Sequence, residues 1–560
     1  MEAHRSGVSA AVRRRPWFWL LVALFCLSAL LLAYLRARVG FFLDDWYLII
    51  FRDGPSDWLL PHNEHIIILP AALYELSLTL FGMSPLPLHL VALALFLVSV
   101  ALLFQWLKPL VGEPVSVLGC AIVLFLGAGA GDLIFAFQTG FFGSVVGGLG
   151  ALLLLRRNNR RDDWLACLAL VFSTLCSTLM APFFAAVAVA LLYRDDDRPQ
   201  FRNLLRKSWI FLIPVAVYLA WWAGWNQDGS QQISLENILK APAYVFAALG
   251  FAGASLTGAF ALREWIENYL WVIPGIAMAL GFVWILRRRG KVPPEFLIGL
   301  AAALGFWLLC AVNYTEARDF YTSRYQYPSV IFLLMMLAGA CKGLRPDSRQ
   351  LKWLGGATAV AVAINIAGLF YAYSNVYRPY AEQNLVNLAA VDLTRDTVDP
   401  DFRVGIGTSG GTQVKARVYE EAVGRYGRPD LSDDTLSGFS ADERNRLDQL
   451  LVLALPVELV PEDEVRPNRD ECQTVAADPE GRESPVAVGS NLLWIRSEED
   501  VQIDLGRFGD ETDAVAWSAR AGKPTGYEIP ADRSAVPWRI SFKGSGKVTV
   551  CTARPARPAS

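Results

Sequence analysis

Long runs of apolar residues dominate the first two thirds of the chain. A segment of roughly 20 apolar residues is long enough to cross a bilayer, and the sequence contains eleven candidate segments, several of them short. They cover residues 17–35, 86–107, 115–131, 141–155, 164–179, 181–193, 208–225, 269–286, 294–312, 326–341 and 352–373. The pattern therefore predicts a mostly α-helical membrane protein with about eleven transmembrane helices.

Two further apolar segments do not fit as membrane spans. Residues 66–81 carry leucine and isoleucine at helical spacing with a few polar positions, which predicts a helix lying in the membrane interface. Residues 243–259 are rich in glycine and alanine, and a crossing here would invert the sidedness of every later basic loop. We therefore predict a re-entrant or surface-lying helix over 243–259.

Basic residues between the predicted spans give the orientation. Five clusters of arginine and lysine, at 13–15, 156–161, 202–207, 287–289 and 342–345, fall on one side under this span assignment. Positively charged loops favour the cytoplasmic side. We therefore predict a multi-pass protein of the plasma (inner) membrane, with a cytoplasmic segment 1–16, a transmembrane part 17–373 and an extracytoplasmic domain 374–560. Loops 36–85 and 131–140 then lie outside.

The pattern changes at about residue 374. Helical periodicity gives way after residue 461 to short β-type runs bounded by glycine, proline or aspartate, which predicts an external α+β domain ending in a β-sandwich-like half. The chain as a whole is 54% hydrophobic with a mean hydropathy of +0.34. Six of the eight cysteines lie in or beside predicted spans, whereas Cys472 and Cys551 are alone in the tail. They predict a disulfide in an oxidising compartment, with two free thiols as the alternative.

Two adjacent carboxylates, Asp44 and Asp45, follow the first predicted span. Ionisable residues at a membrane boundary are candidates for a functional site, although aspartate also commonly caps a helix. In an extended loop adjacent side chains point in opposite directions, so only one of the two can face a reacting group. His62, Glu64 and His65 follow in the same loop. The two histidines could instead bond backbone groups, and Glu64 could favour a helix N-terminus.

Four other candidates lie in later external loops. Asp132 is a second carboxylate, and Arg318, Arg324 and Tyr325 supply cations and hydroxyls directly before a span. Arg324 could instead be an interfacial anchor. Together with Asp44 or Asp45, these residues suit transfer of a sugar from a lipid phosphate, because that reaction needs a carboxylate base and cations for the departing phosphate.

Two other classes of protein stay open. One is a transporter or flippase of lipid-linked glycans, and the other is a non-catalytic assembly protein of the cell envelope. The absence of a P-loop motif argues against ATP-driven transport by this chain. Acidic residues in external loops favour transfer chemistry, whereas acidic residues in the middle of spans would favour transport. We expect no nucleic-acid partner.

The chain resembles the GT-C superfamily of integral-membrane glycosyltransferases. The resemblance rests on the acidic pair Asp44–Asp45 with Trp46, on Asp132, and on Arg324-Tyr325 followed by Pro328. This superfamily includes protein O-mannosyltransferases, the aminoarabinose transferase of lipid A, and actinobacterial mannosyl- and arabinosyltransferases. No longer subfamily signature matches, so the sugar and the acceptor stay open.

The resemblance implies a GT-C-type transmembrane domain and an inverting transfer from a polyprenyl-phosphate sugar to an envelope glycan, lipid or protein. It also implies that the first-loop aspartate is the base, with Asp44 favoured over Asp45. The second-loop carboxylate Asp132 would bind the acceptor or a metal, and a late basic residue would hold the lipid phosphate. No cofactor is certain. If a divalent metal binds, Asp45 and Asp132 are its expected ligands. Membrane lipid is an expected partner.

Overall fold

The computed structural model describes residues 16–556 except 53, 196–197, 226–232, 263–270, 316–317, 406–412, 430, 432, 456–457, 480–485, 489 and 510–513. Its contacts divide the chain into two compact units. The first unit comprises Met1–Phe41, Arg52–Ser77 and Pro85–Arg378, and the second comprises Phe42–Phe51, Leu78–Ser84 and Pro379–Ser560. Neither unit is assigned to a side of a membrane, so the predicted cytoplasmic, transmembrane and external parts stay predictions.

The first unit consists of helices joined by turns and irregular segments, and it contributes no strand among its described residues. Its longer helices are Pro16–Arg36, Ile68–Phe81 (which runs into the second unit), Leu86–Val111, Glu113–Leu124, Thr139–Leu155, Arg160–Cys176, Ala181–Leu192, Trp209–Trp225, Leu235–Thr257, Val272–Arg289, Pro294–Val312, Gln326–Ala340 and Ser348–Ala372. Short helical segments are Pro55–Leu59, Gly127–Gly129, Ala130–Leu133, Thr178–Met180, Phe201–Lys207, Ala259–Leu262, Ser323–Tyr325 and Tyr373–Tyr377. The helix predicted over 66–81 is confirmed as Ile68–Phe81, although nothing tests its position in a membrane interface.

The prediction of eleven transmembrane helices is wrong. Among the described residues, five helices are long and apolar enough to cross a membrane, or up to seven if each of two bent pairs forms one span. The five are Pro16–Arg36, Leu86–Val111, Leu235–Thr257, Pro294–Val312 and Ser348–Thr394. These apolar helices are consistent with a membrane protein. The protein has fewer candidate spans than the sequence pattern suggested.

The overcount has a physical cause. The predicted span 326–341 forms the 15-residue helix Gln326–Ala340, and almost all of its side chains are buried against protein. The predicted span 181–193 forms a helix of only 12 residues, Ala181–Leu192. A short apolar run that packs inside a protein has the same composition as a run that faces lipid, so hydropathy alone cannot separate them.

One unbroken helix, Leu235–Thr257, contains most of the segment that was predicted to be re-entrant. The Ser234 side chain caps its start by accepting from the Asn237 amide, and Gly258, in the left-handed region at φ 82°, ends it. The re-entrant alternative for 243–259 is therefore wrong, whereas the alternative of a surface-lying helix stays a prediction. The re-entrant alternative rested on the sidedness of the basic loops, which depends on the number of spans.

The second unit combines helices with two β-sheets. Its helices are Asp44–Ile50, Arg378–Thr394 (whose first residue belongs to the first unit), Ala416–Tyr426, Asp433–Ser437 and Ala441–Ala454. Its strands are β1 (Arg403–Gly405), β2 (Gln413–Lys415), β3 (Glu458–Val460), β4 (Val465–Ala476), β5 (Val486–Val488), β6 (Leu492–Ser497), β7 (Val501–Gly506), β8 (Ala514–Ala519), β9 (Thr525–Glu528), β10 (Trp538–Gly544) and β11 (Lys547–Pro555).

The two larger sheets share one hydrophobic core. One sheet has the order β5-β10-β7-β8 and the other β3-β9-β6-β11-β4. Ile503 and Ile540 from the first sheet, Ile495 and Val550 from the second, and Leu447 from the helix Ala441–Ala454 all belong to this core. A β-rich C-terminal region is therefore confirmed, with two sheets that pack as the layers of a sandwich do.

Cys472 and Cys551 are joined by a disulfide in this unit. They lie directly opposite each other on the antiparallel strands β4 and β11. The bond closes a loop with a sequence separation of 79 residues. In the chain-entropy model, a loop of that length removes a large number of unfolded conformations.

Replacing both residues, Cys472→Ala with Cys551→Ala, should therefore lower the free energy of unfolding of the second unit, by on the order of 4 kcal/mol at most. Limited proteolysis of the purified chain along a temperature series measures this, with Cys310→Ala in the first unit as the matched control. A double variant as resistant as the wild type, or a peptide map with both thiols free without reductant, would contradict the account.

Candidate functional site

Asp132 is a carboxylate fully buried in the first unit. It lies in the short helix Ala130–Leu133, at the end of a helix pair that bends by 41° after Leu124. Its side chain has no solvent exposure, and neither of its carboxylate oxygens has a hydrogen-bond partner among the described residues. Among the described residues, Arg324 is the charged group that acts on it electrostatically. The sequence prediction placed Asp132 in a loop, whereas the structure buries it at a helix end.

Asn365 holds the backbone just before Asp132. From the middle of the helix Ser348–Ala372, its Oδ1 accepts the Gly127 amide at 3.0 Å, while its Nδ2 donates to the Ser255 carbonyl at 3.2 Å. The two backbones approach so closely that a Cβ on Gly127 would lie 2.0 Å from the Asn365 carbonyl oxygen. Only glycine fits at this position.

Ser323 links the Asp132 segment to the arginine-rich segment before the helix Gln326–Ala340. Its hydroxyl accepts the Gly131 amide at 3.0 Å and donates to the Ala128 carbonyl at 2.7 Å. Ser323 directly precedes Arg324, so these two bonds fix the guanidinium-bearing residue beside the buried carboxylate. The structure thus brings together Asp132 and Arg324, which are far apart in the sequence.

Arg36 supports the other side of the same segment. This arginine ends the first helix, is buried, and donates from Nε to the Leu133 carbonyl at 2.7 Å and from Nη1 to the His89 carbonyl at 2.9 Å. Buried arginines are rare unless their donors are satisfied. We infer that Arg36 is a positioning residue for the backbone next to Asp132.

Arg318, Arg324 and Tyr325 form a cationic group around one phenol. The Arg324 guanidinium lies 5.3 Å from the centre of the Tyr325 ring, and both arginines act electrostatically on the Tyr325 hydroxyl. Burial raises the pKa of Tyr325 to about 12, although Arg324 and Arg318 oppose this shift. The phenol therefore keeps its proton at neutral pH and can donate a hydrogen bond, as the two guanidinium groups can.

His62, Glu64 and His65 belong to one tight turn. His62 and His65 exchange both backbone hydrogen bonds, at 3.1 and 2.8 Å, and the two central residues, Asn63 and Glu64, have φ values of 47° and 68°. Positive φ at both central positions defines a type I′ turn, which favours asparagine first and glycine second. Glu64 occupies the glycine position, so the backbone is strained there.

The strained turn directs its side chains to different neighbours. The Glu64 carboxylate forms an ion pair with Arg318 at 3.5 Å. His65 hydrogen-bonds the Thr178 hydroxyl through Nδ1, and the His62 ring packs against Phe137 at 4.9 Å. Glu64 therefore connects this turn to the cationic group, whereas the histidines anchor the turn.

Asp44 and Asp45 belong to the second unit. They are the first two residues of the helix Asp44–Ile50, so the extended conformation assumed in the sequence argument is wrong, and their side chains are about 100° apart. Asp45 is buried, and its Oδ2 accepts the Phe42 amide at 2.7 Å. Asp44 is half-buried. Leu43 directly before them has a φ of 40°, outside the usual region for this residue.

The described residues contain no group of three or more histidine, cysteine, aspartate or glutamate side chains that could hold a metal ion. Neither carboxylate oxygen of Asp132 has a hydrogen-bond partner among the described residues, and Asp45 accepts a hydrogen bond from the Phe42 amide. These residues do not make up an all-protein metal cage, and no step below passes through a metal.

Sequence reasoning missed Arg36, Ser323 and Asn365. A charged residue at the end of an apolar span is a signal that could have indicated Arg36, and a lone asparagine within a long apolar helix could have indicated Asn365. Ser323 gives no signal of its own, because its role depends on contacts with residues about 190 positions away.

The comparisons with known proteins give little further information. The chain matches no protein-family model, and no curated protein matches it in sequence. A solved structure of the mycobacterial arabinofuranosyltransferase AftD, in a mutant form, is similar at 12% sequence identity with a TM-score of 0.33. The match covers 96% of this chain and 61% of that protein. A TM-score this low does not establish a shared fold.

The close approach at Gly127 generates a prediction. Gly127→Ala should displace the backbone that carries Asp132, because the new methyl group would overlap the Asn365 carbonyl, and overpacking of this kind costs about 1–3 kcal/mol or more. The apparent Tm of the detergent-purified protein should fall by several degrees. Gly150→Ala is the matched control, because a Cβ there meets no atom within 4 Å. Equal Tm values for the two variants would contradict the account.

Proposed function

We propose that this chain is an inverting membrane glycosyltransferase of GT-C type, which transfers a sugar from a polyprenyl phosphate to a glycan, lipid or protein of the cell envelope at the outer membrane face. The observation that carries the proposal is the buried carboxylate of Asp132 held beside Arg324. A carboxylate without a hydrogen-bond partner among the described residues, with a guanidinium that acts on it electrostatically, offers an acceptor for substrate hydroxyls and a cation for a phosphate.

In this mechanism the proton of the acceptor hydroxyl goes to Asp44, a role that rests on the resemblance to GT-C enzymes and on no contact between the two units. The hydroxyl oxygen then attacks the anomeric carbon of the donor sugar, and the bond from that carbon to the phosphate oxygen breaks with its electron pair on the leaving polyprenyl phosphate. Attack opposite the leaving group inverts the anomeric configuration. Asp45 is less suited to this role, because it is buried and already accepts the Phe42 amide.

Arg324 would hold the phosphate as it leaves, with Arg318 and the protonated Tyr325 as further donors. Charge-assisted hydrogen bonds to phosphate are among the stronger ones in proteins. Glu64 neutralises part of the charge of Arg318 and so leaves Arg324 as the principal cation. Asp132 would accept from a hydroxyl of the acceptor, and the strained turn at His62–His65 would border the substrate.

A second function is favoured by one observation. Asp132 is fully buried at the end of a bent helix pair that could be a broken span. Transporters often build their substrate sites at broken membrane helices, and ionisable residues inside a membrane often mark a transport pathway. Movement of a lipid-linked glycan without bond cleavage is therefore the alternative, and it predicts no transfer product from purified protein, polyprenyl-phosphate sugars and acceptor glycans.

The first prediction of the mechanism concerns the base. Asp44→Asn keeps the shape of the side chain but removes its ability to accept a proton, so the transfer rate should fall by about 10²–10⁴-fold. Asp45→Asn retains an oxygen that can accept a hydrogen bond from the Phe42 amide, so the transfer rate should fall less in this variant than in Asp44→Asn. The measurement is product formation by purified protein. Asp57→Asn, a half-buried carboxylate of the same loop, is the control. Full activity in a variant lacking both Asp44 and Asp45 would rule out this mechanism.

The second prediction concerns the phosphate. Arg324→Ala should weaken use of the lipid-phosphate donor by roughly 10- to 100-fold, because it removes charge-assisted hydrogen bonds. Arg324→Lys should recover only part of this, because an ammonium group cannot make the two-pronged contact of a guanidinium. Steady-state kinetics with varied donor measure the effect, with Arg288→Ala as an exposed control. If the donor kinetics do not change in Arg324→Ala, Arg324 does not hold the phosphate and the phosphate site lies elsewhere.

A further inference from the structure

A pocket of about 440 Å³ lies in the first unit, away from Asp132. It is formed where the helices Arg160–Cys176, Phe201–Lys207 and Trp209–Trp225 meet. Its lining combines basic and aromatic side chains, namely Arg160, Asp163, Trp164, Arg206, Lys207 and Trp209. None of these residues enters the mechanism proposed above.

The pocket has an excess of positive charge. Asp163 is its one acid, and it is buried in ion pairs with Lys207 and with Arg194, the latter at 2.6 Å. These contacts neutralise the carboxylate and fix Lys207 at the pocket wall. Arg160 and Arg206 are exposed, and neither forms an ion pair with another residue that the structure describes. A negatively charged ligand would therefore gain two guanidinium contacts here.

An apolar surface extends from the pocket along two helices. Leu165, Leu168 and Phe172 are exposed at helical spacing on Arg160–Cys176. Leu212 and Leu219 are exposed on Trp209–Trp225, which packs against it. In a membrane protein such a surface contacts acyl chains, since leucines exposed to water at this density would be unfavourable.

The helix Phe201–Lys207 has the character of a membrane-surface segment. It meets Trp209–Trp225 at a bend of 50°. Phe201 and Leu205 are 68% and 76% exposed on it, next to the basic residues Arg202 and Arg206. Exposed apolar and basic side chains on one short helix are typical of segments that lie at the lipid head groups.

Trp164 and Trp209, the two tryptophans of the pocket, also favour a position at the lipid head groups. The rings of Trp164 and Trp209 pack at 4.3 Å, and Trp164 is half exposed. Tryptophan is enriched at the boundary between head groups and acyl chains. These tryptophans favour a position of the basic pocket at head-group depth, directly beside the apolar surface on which acyl chains would rest.

We propose that this pocket binds the phosphate of an anionic phospholipid head group, with Arg160 and Arg206 as the phosphate donors and the apolar faces of the two helices as the acyl-chain surface. Basic pockets between membrane helices are known to favour anionic head groups. This site is independent of sugar transfer, because it shares no residue with the proposed mechanism.

The test is a lipid titration of the delipidated full chain in detergent, followed by native mass spectrometry. The probes are phosphatidylglycerol and phosphatidylcholine with identical acyl chains. The variant Arg160→Gln with Arg206→Gln removes two exposed charges without touching the buried Asp163 pairs. Arg287→Gln with Arg288→Gln is the matched control, because it removes two exposed charges at the end of another apolar helix.

We expect wild-type protein to prefer phosphatidylglycerol, and the Arg160/Arg206 variant to bind it roughly 30-fold more weakly, while the control variant binds it as the wild type does. Equal binding of the two lipids, or an equal loss in both variants, would overturn the proposal in favour of general charge attraction. Competition by millimolar inorganic phosphate would show a site for free phosphate and would overturn the assignment to a lipid.

Discussion

Burying a carboxylate away from water costs several kcal/mol unless other groups compensate it, and the region around Asp132 is organised by that constraint. No hydrogen bond reaches its oxygens among the described residues, and the charge of Arg324 offsets only part of the cost of burial. The attraction between a guanidinium and a carboxylate weakens with distance, so it stabilises the buried charge only if the two groups are held close together. The backbone segments that carry Asp132 and Arg324 must therefore be held in place. This explains why the polar side-chain atoms of Asn365 and Ser323 form hydrogen bonds with backbone groups there.

Backbone strain occurs at or beside two of the acidic candidates, Glu64 and Asp44. Asn63 and Glu64 have positive φ in the first unit, and Leu43, directly before Asp44, has positive φ in the second. Non-glycine residues in this region cost about 1–3 kcal/mol each and persist where the surrounding structure enforces them. Glu64 carries a carboxylate itself and Leu43 directly precedes one, so at these two positions the strain bears on the direction in which an acidic side chain points.

Some of this structure could be predicted from the sequence. The helix Ile68–Phe81 followed from its periodicity, and the β-rich C-terminal region from its short runs between turn residues, because both patterns are local. The number of spans could not be predicted in this way, because helices such as Gln326–Ala340 are apolar for packing inside the protein.

The candidate site was predictable by residue type but not by geometry. Charged residues near span ends indicated Asp132 and Arg324 separately, whereas their proximity depends on Ser323 and on close backbone approach at Gly127. Those are contacts between distant parts of the chain, and no local pattern encodes them. The adjacency of Asp44 and Asp45 was visible, but their helical conformation and the burial of Asp45 were not.

The central claim is that the protein breaks the bond between sugar and phosphate in the donor and forms a glycosidic bond to the acceptor. Mass spectrometry of lipid-linked sugars and of envelope glycans, in cells with and without this gene, tests it most directly. The account predicts that one polyprenyl-phosphate sugar accumulates when the gene is deleted, that the corresponding sugar is lost from one envelope acceptor, and that the Asp44→Asn variant fails to restore either. Unchanged amounts of donor and acceptor glycans, or full restoration by that variant, would contradict it.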